Sequence, residues 1–103
     1  MSESPMARIE REWMAQWIAE GVLVFAIPGD ARCRLATERL GACGVPYREV
    51  DITSDGQGLR IMLALTGRSD VPVVSSYGEL MVGLDFERLD ELIVLATERA
   101  RAG

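Results

Sequence analysis

Apolar positions along the chain switch between helical and strand periods, and the switches mark out its elements. Met6, Ile9, Trp13 and Trp17 recur at spacings of three and four. This predicts an amphipathic first helix, capped by Ser4, with Pro5 in its first turn and Gly21 as its stop. The two tryptophans share one stripe and read as core or docking residues. From Val22 to Ile27 every residue is apolar, in a run too short for a helix and bounded by Gly21 and Pro28-Gly29, which predicts a buried central strand. A helix from about Ala31 to Cys43, a break at Gly44-Val45-Pro46 and a strand from Tyr47 to Ile52 complete a strand-helix-strand unit. The two strands of such a unit pair parallel.

Residues Ser54 to Thr66 open with a glycine-rich turn (Gly56, Gly58) and carry Leu59, Met62, Leu63 and Thr66 at helical spacing, which predicts a third helix. Val71 to Ser75 and Leu80 to Val82, joined by "SYGEL", form the pattern of an antiparallel hairpin. Asp85 caps a last helix whose apolar stripe is Phe86, Leu89, Leu92, Ile93 and Ala96, with arginines near its end where the helix dipole favours them. The fold class that follows is α/β: a four-stranded mixed sheet flanked by helices on both faces.

Composition narrows the picture. A chain of 103 residues, 49% of them apolar, has room for one core, and residues 1-103 are expected to form a single domain. No run reaches the eighteen or so uncharged apolar residues of a membrane span, and "MSESPMARIE" lacks the basic flank and apolar stretch of a signal peptide. A soluble, cytoplasmic protein without a membrane partner is expected. The net charge of -5 argues against nucleic-acid binding, which needs clustered cations. All 11 basic residues are arginine, a bias of the kind genome base content imposes. With no histidine and only 2 cysteines, the usual zinc and acid-base constellations are missing, and no metal is expected.

The candidate chemistry lies in "PGDARC", Pro28 to Cys33. The turns before Ala31 and before Phe86 each present a helix N-terminus, where anions are favoured. Asp30 reads as the N-cap of its helix, a fixed negative charge one turn from Cys33. It disfavours a thiolate there, while Arg32 and Arg34 pull the other way. Cys33 shares a face with Ala36, Leu40 and Cys43, the expected core face. Cys43 is therefore expected in or near the core, and Cys33 reads equally as a buried, inert thiol or a reactive one. Placed on one helix at these positions, the two sulfurs lie about 15 Å apart along the axis, too far for a disulfide, whose alpha carbons lie within roughly 7 Å.

With these motifs in order, the chain from about Val22 to Val94 resembles the glutaredoxin family of the thioredoxin-like fold. "PGDARC" is similar to the family's Pro-Gly or Pro-Tyr turn with Cys-x-x-Cys or Cys-x-x-Ser, with Asp30 in place of the first cysteine. "TGRSDVPVV" is similar to its Thr-Val-Pro loop, and "VGLD" to its Gly-Gly-x-Asp turn, keeping Gly83 and Asp85. The resemblance implies a cis bond before Pro72 and a groove for glutathione. In that groove Val71 beside Pro72 would pair with the tripeptide backbone, and Gly83 with Asp85 would meet its gamma-glutamyl end. The lysine usual before the Pro-Gly turn is Ile27 here, leaving Arg68, or less directly Arg60, to supply a cation. The family's nucleophile is the first cysteine, so Cys33 stands in the resolving position. The implied function is thiol-disulfide redox homeostasis through the single thiol Cys33, with glutathione or a protein thiol or disulfide as partner. The alternative is a non-catalytic module that keeps the groove and binds glutathione, a peptide or a protein. Iron-sulfur carriage, found among single-cysteine members, uses the cysteine that is absent here.

Overall fold

The computed structural model describes residues 21-102, together with Glu12 and Ala15, both helical. The rest of the expected first helix, including Trp13 and Trp17, lies outside the described residues. The elements are β1 (Val22–Ala26), α1 (Ala31–Ala42), β2 (Arg48–Asp51), α2 (Gly56–Thr66), β3 (Val73–Ser76), β4 (Glu79–Val82) and α3 (Phe86–Ala102). They build one sheet in the order β2-β1-β3-β4. β1 runs parallel to β2 and antiparallel to β3, which pairs antiparallel with β4. The fully apolar β1 is central and buried along its whole length, as an unbroken run of that kind requires.

Register sorts the side chains by face. Phe25 pairs with Val50, and a Cβ placed on Gly58 would collide with Val50 Cγ1, so Phe25 and Val50 face α2. Val24 lies beside Glu49, and Val22 beside Ser76. The Ser76 hydroxyl donates to Leu92 O at 3.3 Å, so the residues of this second set face α3. α1 joins α3 on that face, with Arg39 making two bonds to Asp90 (3.1 and 2.9 Å) and lying 5.8 Å from the centroid of the Phe86 ring. Helices thus flank both faces, around a core that includes Leu23, Phe25, Leu40, Met62, Val73, Val74, Met81, Leu89 and Leu92.

Several boundaries move for local reasons. β1 stops at Ala26, leaving Ile27 exposed at the turn. β3 starts at Val73 rather than Val71, because Pro72 has no N–H for a ladder, and it runs on to Ser76. The hairpin loop is only Tyr77-Gly78, both at positive φ (49° and 92°), the type I′ geometry that matches strand twist. α2 starts at Gly56, under the cap Asp55, whose carboxylate accepts from Gly58 N at 2.9 Å.

Cys43 is the clear correction: it is exposed, not part of the core. α1 ends at Ala42, and Cys43 is its C-cap. Gly44 then turns at φ 70°, its N–H bonds Gly41 O at 3.0 Å, and the Val45 N–H bonds Leu40 O at 3.0 Å. This is a Schellman ending, in which the apolar residue after the glycine folds back against the helix. Val45, 7% exposed, takes the buried place that the helical spacing assigned to Cys43.

Candidate functional site

The site is built where β1 ends. The antiparallel register Phe25↔Val73 continues towards Ile27 and Val71, so the turn into α1 and the loop before β3 emerge at the same end of the sheet. In the turn, Asp30 N donates to Ile27 O at 3.1 Å, and Gly29 takes φ 82°, a conformation that favours glycine. The Asp30 carboxylate then caps α1. Oδ1 accepts from Arg32 N (2.9 Å) and Cys33 N (3.2 Å), and the Arg32 guanidinium lies 3.4 Å from Oδ2. The capping role expected of Asp30 is thus the observed one.

These contacts set the charges. The bond from the Cys33 N–H, more than anything else, holds the Asp30 carboxyl below its ordinary range, with Arg32 adding to it and partial burial opposing. Burial pushes the Cys33 thiol up, and the neighbouring Asp30 carboxylate pushes it further. A backbone contact with Ile27 and the charge of Arg32 oppose this without prevailing. Cys33 is 3% exposed, the buried member of the two cysteines. A thiol so placed is a weak nucleophile at neutral pH.

The second half of the site comes from the loop before β3 and the turn before α3. The Val71-Pro72 bond is cis, and both residues are buried. Gly83 N donates to Pro72 O at 2.9 Å, which ties the two segments together, and Gly83 takes φ 77°. Asp85 caps α3, its carboxylate accepting from Arg88 N at 3.2 Å and its carbonyl from Leu89 N at 2.8 Å. Val71, Pro72, Gly83 and Asp85 therefore form one connected wall. Arg68 does not extend it as a free cation, because its guanidinium is paired with Asp70 at 2.7 Å. Ile27, 36% exposed, presents no charge at the turn.

A cavity of about 280 Å3 that no motif of the sequence marks lies on the α1 side of the turn, lined by Ile27, Cys33, Arg34, Thr37 and Glu49 among others. The available signal was the alternation in β2, which sets Glu49 opposite to Val50. That signal becomes useful only when the face taken by α1 is known. A second cavity, at the far end of the sheet, is lined by Cys43, Val45, Tyr77 and Ala96 among others. Among the described residues no three histidine, cysteine, aspartate or glutamate side chains come together as a metal site requires, and no helix is long and apolar enough to cross a membrane.

No protein-family model matches the chain, and no curated protein matches it. Solved structures do. A thioredoxin-like protein, solved as a point mutant, is 27% identical with a TM-score of 0.68, over 73% of this chain and 96% of that one. A buckwheat glutaredoxin, solved in complex with glutathione, superposes with a TM-score of 0.71 at 19% identity, over 94% of this chain and 96% of that one. A glutaredoxin from Archaeoglobus fulgidus gives 0.63 at 24% identity, over 71% and 85%. The chain has the glutaredoxin/thioredoxin fold.

Proposed function

We propose that the protein is a glutaredoxin-like member of thiol-disulfide redox homeostasis, engaging glutathione in the groove beside cis-Pro72 and working through the single thiol Cys33. The observation that carries this reading is the Gly83–Pro72 bond of 2.9 Å. It joins the cis loop to the cap of α3 at the sheet end where Pro28-Gly29 starts α1, the arrangement in which the resemblance places glutathione. Val71 would pair with the tripeptide backbone, and Gly83 with Asp85 would take its gamma-glutamyl end. In the reaction, the Cys33 thiolate attacks one sulfur of oxidised glutathione. A Cys33–glutathione bond forms as the original S–S bond breaks, and the second glutathione leaves as a thiolate that takes up a proton. A further glutathione reverses the step.

A second reading, a binding module without chemistry, is favoured by a specific observation. Asp30 fills the position of the family's nucleophile, and Cys33 lies beneath it, 3% exposed. Intact-mass measurement after incubation with oxidised glutathione separates the two. One adduct in a Cys43→Ser background, absent when Cys33→Ser is added, is expected for the redox reading, since the exposed Cys43 would otherwise take up an adduct of its own. An unmodified protein that still binds reduced glutathione by calorimetry replaces that reading with the binding module.

A further inference from the structure

The cavity on the α1 side of the turn is separate from the wall made by Val71, Pro72, Gly83 and Asp85: none of those four lines it. Cys33 lines it instead, with Arg34 and Thr37 from α1 and Glu49 from β2. The Arg34 guanidinium and the Glu49 carboxylate have no ion pair or hydrogen bond with each other or with any other described residue, although both border the same space. The Thr37 hydroxyl donates to Arg34 O at 3.0 Å, which leaves its lone pairs to accept. The cavity thus brings Arg34, Glu49 and the Cys33 thiol to one space, beside Asp30, with no partner for Arg34 or Glu49 among the described residues.

We propose that this cavity is a binding pocket for the α-amino-acid head group of a small thiol or disulfide, with its carboxylate on Arg34, its ammonium on Glu49 and its sulfur towards Cys33. In this placement each wall charge gains a charge-assisted hydrogen bond. A simple anion such as phosphate fits poorly, because Asp30 and Glu49 both border the space and only Arg34 is left to hold it. The volume, about 280 Å3, falls just under the roughly 300–1,000 Å3 of pockets for drug-sized ligands, and so suits an amino-acid-sized group. The assignment of the sulfur rests on Cys33 being the working thiol, whereas recognition of the head group does not.

The test therefore has two arms on the full chain. In the first, 15N-labelled protein is titrated with S-methylcysteine, which cannot exchange disulfides. Shifts are expected at the Arg34, Thr37 and Glu49 amides and not at Val71, Gly83 or Asp85. Arg34→Gln and Glu49→Gln should each weaken binding at least about tenfold. No binding, or binding unchanged in both variants, overturns the pocket. In the second arm, cystine and oxidised glutathione are compared as donors to Cys33 by mass spectrometry in a Cys43→Ser background, because Cys43 is the exposed thiol. A cystine adduct that forms more slowly in Arg34→Gln supports the pocket with a free amino acid as its source, and an oxidised-glutathione adduct that does so supports it with the glutamyl end of the tripeptide, moved there from Gly83 and Asp85. S-methylcysteine binding without any adduct keeps the pocket and removes the single-thiol mechanism. Adducts formed equally by wild type and both variants, with no S-methylcysteine binding, keep the mechanism and remove the pocket.

Discussion

At Asp30 one carboxylate both completes a helix and restrains a thiol. Its bonds to the N–H groups of Arg32 and Cys33 use the charge that, one turn further in, opposes ionisation of Cys33. Asp30→Asn keeps a capping oxygen and removes the charge. Alkylation of Cys33 by iodoacetamide, followed against pH in a Cys43→Ser background, should then show a lower apparent thiol pKa and a faster rate at pH 8 than with Asp30. The same pair tests linkage. A carboxyl held below its ordinary value contributes stability that is present above the unfolded pKa of about 3.9 and is lost as pH falls through the lower native value. Any stability advantage of wild type over Asp30→Asn should therefore be constant near neutrality and shrink as urea midpoints are taken below about pH 4. Exposure sets a second contrast: one equivalent of N-ethylmaleimide should label Cys43 before Cys33, since only Cys43 is exposed, and peptide mapping that finds Cys33 labelled first would contradict the Schellman ending of α1.

Between elements, the tightest constraint is where α2 meets the sheet. Gly58 is buried, and any side chain there must displace Val50, whose Cγ1 occupies the space a Cβ needs. Gly58→Ala improves helix propensity by at most about 1 kcal/mol, while overpacking of this kind costs about 1–3 kcal/mol. The net expectation is a loss of about 1 kcal/mol, a fall in Tm of roughly 4–8 °C for a domain of this size. Gly58→Val should be worse, and calorimetric scans of both variants measure the order. The link from α1 to α3 is weaker by comparison. Arg39 and Asp90 are both about half exposed, at 45% and 49%, and exposed pairs contribute only about 0–1 kcal/mol.

At the scale of the whole molecule, the candidate site is assembled from three separated stretches that reach one end of one sheet. The turn into α1, cis-Pro72, Gly83 and Asp85 are brought together by the β1-β3 register and the Gly83–Pro72 bond. If that assembly is a glutathione groove, the part it lacks is a thiolate at the helix tip, where free N–H groups stabilise one. Asp30→Cys is expected to raise turnover of a glutathione mixed disulfide clearly above wild type, and Ile27→Arg in that background to raise it further by adding a cation beside the thiol. A folded Asp30→Cys variant with no adduct and no turnover would show that the groove takes another ligand. The sequence by itself determined each element whose cause is local. The unbroken apolar run made β1 central, Asp30 and Asp85 fixed the starts of α1 and α3, and Tyr77-Gly78 set the hairpin. Periods of two and of three to four encode which side of an element is apolar, and capping residues encode where it begins. The fate of Cys43 and the sharing of one cavity by Cys33, Arg34 and Glu49 were decided by how the chain folds back on itself. Each depends on which sheet face a helix covers or on how the chain turns away after a helix ends, and those are relations between residues distant in sequence that no local period records.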